Sequence, residues 1–148
     1  MKLIAATIAA LALAVAAGSA DAARFAPPNT NFAITGTMEF QTRSGTLHCP
    51  YTFWGKTNGK DLGGTATLSG ATMCPQVVAA GMPWSFQPTI GHAARAMMSF
   101  ILKGGDCGSA DDGFILKNGA VHWGMQVYPA CLRKGGSGKT SPVVSIFN

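Results

Sequence analysis

The sequence predicts an all-β protein, a single antiparallel β-sandwich of the immunoglobulin-like or Greek-key type with two disulfide bonds. Charged residues are only 11% of the chain, where roughly 25% is typical, and the 19 glycines are about twice the usual share. The clearest segments alternate between apolar and polar residues, as half-buried strands do. The 148 residues suit one domain, and their composition excludes a coiled coil or a long disordered tail.

Residues 1–22 have the features of a secretory signal peptide. Lys2 supplies the positive start, Leu3 to Ala17 an uncharged apolar run, and Ala20-Asp21-Ala22 a small-x-small cleavage site. The run is shorter and richer in alanine than the roughly 20 apolar residues of a membrane anchor. We therefore expect a mature domain of residues 23–148, without a membrane span, that is secreted, periplasmic or at the cell surface.

Two consecutive strands are the best defined. Asn31 to Gln41 alternates strictly, and the strand that follows the turn at Arg43-Ser44-Gly45 does the same, although Pro50 favours an edge or a bulge within it. The predicted inward residues are Phe32, Ile34, Met38 and Phe40 on the first strand, and Leu47, Cys49, Tyr51 and Phe53 on the second.

Further short segments bring the prediction to about eight strands. Asn58-Gly59 and Asn118-Gly119 suit hairpin turns, since both residue types tolerate the positive φ of a type I′ turn. His92 to Lys103 fits a helix or a strand, and its β neighbours favour a strand. The remaining predicted strands are Gly64 to Met73, Trp84 to Ile90, Phe114 to Lys117, Ala120 to Trp123, Val127 to Leu132 and Val143 to Phe147, with a loop from Pro75 to Pro83.

Four cysteines in an exported chain indicate two disulfide bonds, because the compartment is oxidising and no Cys-x-x-Cys suggests zinc. Three pairings are possible. The spacing favours sequential pairing, Cys49 with Cys74 and Cys107 with Cys131, without deciding it.

Residues for catalysis or metal binding are sparse. His48, His92 and His122 lie in different elements, and we interpret them as structural. Asp106, Asp111 and Asp112 form an acidic segment that we interpret as a turn with solvated carboxylates; calcium binding is the alternative, although EF-hand spacing is missing. Gly138-Lys139-Thr140 lacks the upstream glycine of a phosphate-binding loop. The sequence predicts no enzyme, no metal and no cofactor.

The sequence does not identify a partner: an anionic surface, a hydrophobic surface and a second copy of the chain are all compatible with it, and we expect no nucleic-acid binding. The formal net charge is +5, but the basic residues are scattered. Arg133, Lys134 and Lys139 cluster in a Gly/Ser-rich segment, which we interpret as a solvated loop.

Aromatic residues are the remaining candidates for binding. We expect Trp84 and Trp123 to pack in the core. Trp54 falls on the polar side of its strand beside Lys56, so we predict a surface contact formed by Trp54, Tyr51 and Lys56.

Several blocks make the chain resemble a family of small exported Gram-negative proteins that activate alkane oxidation. The resemblance implies a secreted, non-enzymatic β-domain that assists contact with hydrophobic substrates such as alkanes, and it supplies no catalytic residues. Its blocks are the signal peptide, Phe32-Ala33-Ile34-Thr35-Gly36, the segment Ala66-Thr67-Leu68-Ser69-Gly70-Ala71-Thr72 before Cys74, Gly81-Met82-Pro83-Trp84, Cys107-Gly108 and Cys131.

Two other functions stay open. The terminal segments Arg24 to Ile34 and Val143 to Phe147 fit a fibre or pilus subunit that polymerises with itself by strand addition. The Trp54 surface fits a carbohydrate-binding or hydrolytic domain.

Overall fold

The computed structural model describes residues 22–58, 66–71, 73–103 and 105–148. Three predictions lie wholly or partly outside these residues: the signal peptide, the first hairpin turn at Gly59, and the strand from Gly64 to Met73. The described strands are β1 (Arg24–Ala26), β2 (Asn31–Thr42), β3 (Gly45–Thr57), β4 (Ala66–Ala71), β5 (Val77–Ala80), β6 (Trp84–Thr89), β7 (Ala93–Leu102), β8 (Gly105–Lys117), β9 (Ala120–Trp123), β10 (Gln126–Val127), β11 (Leu132–Ser141) and β12 (Ser145–Phe147).

Eight of these strands form a closed antiparallel β-barrel. Their order is β11, β2, β3, β4, β6, β7, β8 and β9, and β9 pairs back with β11 to close the ring. The prediction of a β-sandwich is therefore wrong. Alternation along a strand shows which face is buried, but a sandwich and a barrel bury that face in the same way, so local pattern cannot separate them.

Most predicted strands are confirmed. His92 to Lys103 contains the strand β7, which resolves the choice between helix and strand, and Asn118-Gly119 is the turn between β8 and β9. Other predictions are wrong. The loop from Pro75 to Pro83 contains β5, and the strand predicted at Val127 to Leu132 is divided between the end of β10 at Val127 and the start of β11 at Leu132. Strand β8 begins at Gly105 and not at Phe114, and the Gly/Ser-rich segment interpreted as a loop is part of β11.

The inside of the barrel is filled with side chains. An eight-stranded barrel has an interior just wide enough for its own side chains. Phe53 packs against both Trp84 and Trp123, and Phe100 packs against Phe40, with ring centroids 5.0–6.3 Å apart. The other fully buried large side chains include Ile34, Met38, Leu68, Phe86 and Met98.

Glycines on the inner face allow β2 and β11 to lie close together. A Cβ atom at Gly36 would lie 1.9 Å from the Ser137 carbonyl oxygen, and one at Gly138 would lie 2.5 Å from the Tyr51 hydroxyl. Both distances are shorter than any side chain tolerates. The glycines therefore leave room for the rings of Tyr51 and Trp123, which meet edge to face beside this seam.

One end of the barrel, here called the closed end, is covered by the two-stranded sheet of β1 and β12. This sheet buries Phe25 and Ile146 over the barrel, and His92 Nδ1 lies 2.5 Å from the Ile146 carbonyl oxygen. The two terminal segments on which the fibre hypothesis depends thus pair with each other within the chain.

Both disulfide bonds lie toward the other end, here called the open end. They join Cys49 to Cys74 and Cys107 to Cys131, the sequential pairing. In each pair, the first cysteine is on the inner face of a barrel strand and the second is in a connection at the open end. Each bond therefore ties a connection to the barrel wall.

A charged pair is buried where the barrel closes. The Arg133 guanidinium donates to both carboxylate oxygens of Asp112, at 2.5 and 2.8 Å, and the two side chains are only 1% and 3% exposed. Asp112 also accepts from the Tyr128 hydroxyl and from the Gly113 N–H, while Arg133 donates to the Gly124 carbonyl oxygen at 3.0 and 3.2 Å. Each charge thus has several partners, as burial requires.

The same cluster continues through aromatic side chains. The Arg133 guanidinium carbon lies 4.9 Å from the centroid of the Trp123 ring, a cation–π contact. Trp123 Nε1 donates to the Tyr51 hydroxyl at 2.7 Å, which in turn donates to the Ser137 carbonyl at 3.3 Å. We call these five side chains, Asp112, Arg133, Tyr128, Trp123 and Tyr51, the buried network.

The buried network corrects two interpretations of the sequence. Asp112 belongs to strand β8 and not to an acidic turn, and its carboxylate is buried and not solvated. Arg133 belongs to strand β11 and points into the barrel, whereas Lys134 and Lys139 are exposed. In both cases the sequence alone suggested a solvent-exposed charge. The partner that allows burial is about 20 residues away in the chain, so no local pattern indicates it.

Burial in the network raises the pKa of both tyrosines. The pKa of Tyr51 rises from 10.0 to about 12, mainly because desolvation disfavours the phenolate. The pKa of Tyr128 is raised further by its burial and by the adjacent Asp112 carboxylate. Both phenols are therefore neutral in the folded protein well above the pH at which an exposed tyrosine ionises.

We expect Asp112→Ala to lower the free energy of unfolding by about 3–5 kcal/mol, because it leaves the Arg133 guanidinium buried without its counter-charge. Asp111→Ala is the matched control: the neighbouring carboxylate pairs with Arg95 on the outer surface, so its loss should change stability by about 1 kcal/mol or less. Urea denaturation of the oxidised protein measures both. Equal losses in the two variants would contradict a structural role for the buried pair.

We also expect stability to fall as the pH rises above 10. Tyrosine in the unfolded chain ionises near pH 10.0, whereas folded Tyr51 holds its proton to about pH 12. The stability that neutral Tyr51 and Tyr128 contribute is therefore complete below pH 10 and is lost as the pH rises through the folded values. These are the only two tyrosines in the chain, so the ultraviolet absorbance of tyrosinate reports on them alone. Tyrosinate appearing near pH 10 in the native protein would contradict the prediction.

Candidate functional site

Trp54 lies on the outer surface of the barrel and is 53% exposed. In strand β3 it alternates with the inward residues Tyr51 and Phe53, and a bulge between Phe53 and Trp54 on the β4 side shifts the register. Its cross-strand partners are small, Ala33 on β2 and Ser69 on β4. Small neighbours leave the faces of the indole ring accessible.

A shallow groove of about 600 Å³ surrounds this tryptophan. We call it the Trp54 groove. Four strands build it side by side, β11, β2, β3 and β4, because residues opposite each other in register lie next to each other on the same face. Its lining combines an apolar floor with amide, hydroxyl and ammonium groups: Asn31, Phe32, Ala33, Trp54, Gly55, Lys56, Thr67, Ser69 and Ser141.

Of the three residues predicted as a surface contact, the structure brings Trp54 and Lys56 together on the outside and places Tyr51 inside. Tyr51 is 3% exposed and belongs to the buried network, so its prediction as a surface contact is wrong. The reason is the two-residue period of the strand, which puts Tyr51 and Phe53 on the inward face and Trp54 and Lys56 on the outward face. Trp84 and Trp123 pack in the core, as predicted.

A second exposed group, on β5, β7 and β8, is apolar. Val78, Met97, Ile101 and Ile115 point outward and are 46–63% exposed. Val78 and Ile101 are direct cross-strand partners, and Met97 follows on the same face of β7. We call these four residues the apolar face. Sequence reasoning missed them because alternation identifies the two faces of β7 but does not show which one is outside.

The polar side chains within the apolar face bond to one another. Arg95 and Asp111 form an ion pair, with Nη2 and Oδ2 3.2 Å apart, and the hydroxyls of Ser99 and Ser109 are 2.6 Å apart. These four residues share the outward positions of β7 and β8 with Met97 and Ile115. Because its polar groups already have partners, this face loses less hydration free energy when it is removed from water than unpaired polar groups would.

A third feature is a groove of about 870 Å³ at the open end. Leu47 and Leu102 form part of its wall and pack against the core, and the disulfide-bonded Cys131 lies beside them. Arg43, Lys103 and Asp106 give it both signs of charge. Asp106 accepts a hydrogen bond from the Gly108 N–H at 2.8 Å.

The residues considered for metal binding lie apart. Asp106 is at the open end, Asp111 on the outer surface and Asp112 inside the barrel. The three carboxylates considered for calcium binding therefore do not form one cluster. His48 lies near Glu39, with Nδ1 and Oε1 3.3 Å apart, and His92 contacts the Ile146 carbonyl. In the parts of the chain that the structure describes, no three His, Cys, Asp or Glu side chains meet in a group able to hold a metal ion. The same residues include no helix with the length and hydropathy needed to cross a bilayer.

Comparison with known proteins gives one match. The model of a protein family described as alkane oxidation protein activator PraA/PraB-like matches residues 1–147, nearly the whole chain. No curated protein and no solved structure matches it. The extent of the match shows that the chain belongs to the PraA/PraB-like family of alkane oxidation activators.

Proposed function

We propose that the protein is exported and acts without catalysis, by binding apolar liquid substrates such as alkanes through the apolar face of the barrel. The family name connects the chain with alkane oxidation. Through this face the protein contacts the hydrocarbon and coats the surface of the droplet.

The filled interior supports a contact on the outside. Inward residues of β2, β3, β4, β6, β7, β8 and β9 pack into one continuous core, in which Trp84, Phe100 and Trp123 are almost completely buried. A chain-like hydrocarbon could enter only by displacing these side chains, and close-packed interiors resist such displacement. An apolar ligand therefore meets this protein at exposed side chains.

The observation that carries the proposal is the exposure of four apolar side chains on the outer face of β5, β7 and β8. The Ser99 and Ser109 hydroxyls satisfy each other, whereas the half-exposed Arg95–Asp111 ion pair must keep contact with water, because desolvating an ion pair costs several kcal/mol. Each half-exposed apolar side chain on this face contributes about 1 kcal/mol when it is buried. Four such side chains are enough for reversible adsorption without unfolding.

Two features support export. The two disulfide bonds are typical of oxidising compartments outside the cytoplasm, and both tie connections at the open end to the barrel wall. The first 22 residues have the pattern of a cleavable signal peptide. Export places the protein where liquid hydrocarbon first meets the cell.

We expect the double substitution Met97→Ser, Ile101→Thr to weaken adsorption of the mature, oxidised protein to hexadecane droplets about tenfold. The substitutions remove two of the four side chains that leave water on contact, while the buried core stays unchanged. Depletion of protein from the aqueous phase, measured against droplet surface area, gives the adsorption constant.

Ile90→Ser is the matched control for this experiment. Ile90 is 83% exposed, more than any residue of the apolar face, but it lies in the turn between β6 and β7 at the closed end. The control should adsorb like the wild type. If Ile90→Ser weakens adsorption as strongly as the double substitution, adsorption follows overall hydrophobicity and the assignment to the apolar face is wrong.

A further inference from the structure

We propose that the Trp54 groove is a binding site for an acidic carbohydrate, and that the protein links apolar droplets to an acidic polysaccharide through two opposite sides of the barrel. The linking role rests on the proposed function of the apolar face. The binding of carbohydrate in the groove stands on its own observations.

The first observation is the position of the indole ring. Trp54 presents a large aromatic surface beside small residues, Ala33 and Ser69, on the convex outside of the sheet. A pyranose ring has one face of C–H groups that stacks on such a surface. The amphipathic indole buries this face while its N–H stays available as a donor.

The second observation is the chemistry around the ring. Asn31, Thr67, Ser69 and Ser141 line the groove and supply amide and hydroxyl groups, which both donate and accept hydrogen bonds. Their side chains have no hydrogen-bond partner elsewhere in the described parts of the chain. This arrangement differs from the apolar face, where the serines bond to each other. A few convergent polar groups beside an aromatic surface are suited to the hydroxyls of a sugar.

The third observation is charge. Lys56 is exposed, lines the groove two residues after Trp54 on the same outer face of β3, and is the charged residue of the lining. Among the described residues it forms no ion pair. An ammonium group at this position favours a sugar that carries a carboxylate, in line with the formal net charge of +5.

The topology places the two surfaces on opposite sides. Counting round the eight-stranded ring from β3, which carries Trp54 and Lys56, β7 is the third strand and β8 the fourth. Half of an eight-stranded ring is four strands. One molecule can therefore hold a droplet surface and a polysaccharide chain at the same time without the two competing for space.

The test uses tryptophan fluorescence of the mature, oxidised protein titrated with a short oligogalacturonate. Of the three tryptophans, Trp84 and Trp123 are buried, so a change in emission on binding reports on Trp54. We expect a saturable change with the oligogalacturonate and a response at least tenfold weaker with the neutral galactose oligomer of the same length.

Two variants locate the site, with binding measured by calorimetry because Trp54→Ala removes the fluorescent reporter. Trp54→Ala should abolish binding and leave the melting temperature nearly unchanged, since the side chain is half-exposed. Lys56→Gln should weaken binding about tenfold. Lys117→Gln is the matched control, because it removes the same charge from an exposed position on β8 and should bind like the wild type.

Three results would overturn the carbohydrate site: no response to either oligomer, binding retained in Trp54→Ala, or an equal loss in Lys56→Gln and Lys117→Gln, which would indicate attraction by net charge alone. A large loss of stability in Trp54→Ala would mean that the indole supports the fold. The comparison of binding by Lys56→Gln and Lys117→Gln then decides whether the groove is the binding site.

The linking role has a separate test. We expect the wild-type protein to attach hexadecane droplets to beads coated with polygalacturonate. Attachment should be abolished by Trp54→Ala, and also by the double substitution Met97→Ser, Ile101→Thr. The first variant should still adsorb to droplets and the second should still bind the oligogalacturonate. Failure of the proposed function would remove droplet adsorption and leave sugar binding, whereas failure of the carbohydrate site would do the reverse. Intact binding to both ligands without attachment would exclude the linking role.

Discussion

The buried ion pair of Asp112 and Arg133 is the interaction on which the closure of this barrel depends. Strand β9 pairs with β8 only from Phe114 onward, so at the level of Asp112 no strand stands between β8 and β11. The guanidinium and the carboxylate join the two strands there, and the bonds to Gly124 and Tyr128 hold the connection over the open end. Because an unpaired charge in a barrel is strongly destabilising, the pair also disfavours any register of β8 and β11 that would separate Asp112 from Arg133.

Closure determines what the protein can do. The closed sheet has eight strands, an interior that its own aromatic side chains fill, and ends held by a small sheet on one side and disulfide-linked connections on the other. Such a barrel acts as a rigid body with an outer surface and not as a container. We therefore propose that recognition depends on differences between the outer faces, which the closed sheet keeps in fixed relative positions.

The two outer faces differ in one physical respect, the pairing of their polar groups. On the apolar face the polar side chains have each other as partners: Arg95 with Asp111 and Ser99 with Ser109. In the Trp54 groove the amide, hydroxyl and ammonium groups of the lining lie beside an indole ring and are not paired with one another. We propose that the first face contacts oil, in line with the family name tied to alkane oxidation, and that the second binds a hydroxylated, acidic ligand.

The sequence by itself determined the β class, the limits of β2, β6, β7 and β9, the inward residues of β2 and β3, and the outward position of Trp54 and Lys56, because these depend on periods of two residues and on local turn chemistry. Only the tertiary structure decided that the sheet closes into a barrel, that Asp112 and Arg133 find each other inside it, and that Tyr51 belongs to that network and not to the surface. Those outcomes depend on register and on partners far apart in the chain. A strand pattern contains no information about either, since the same alternation buries one face in a sandwich or in a barrel.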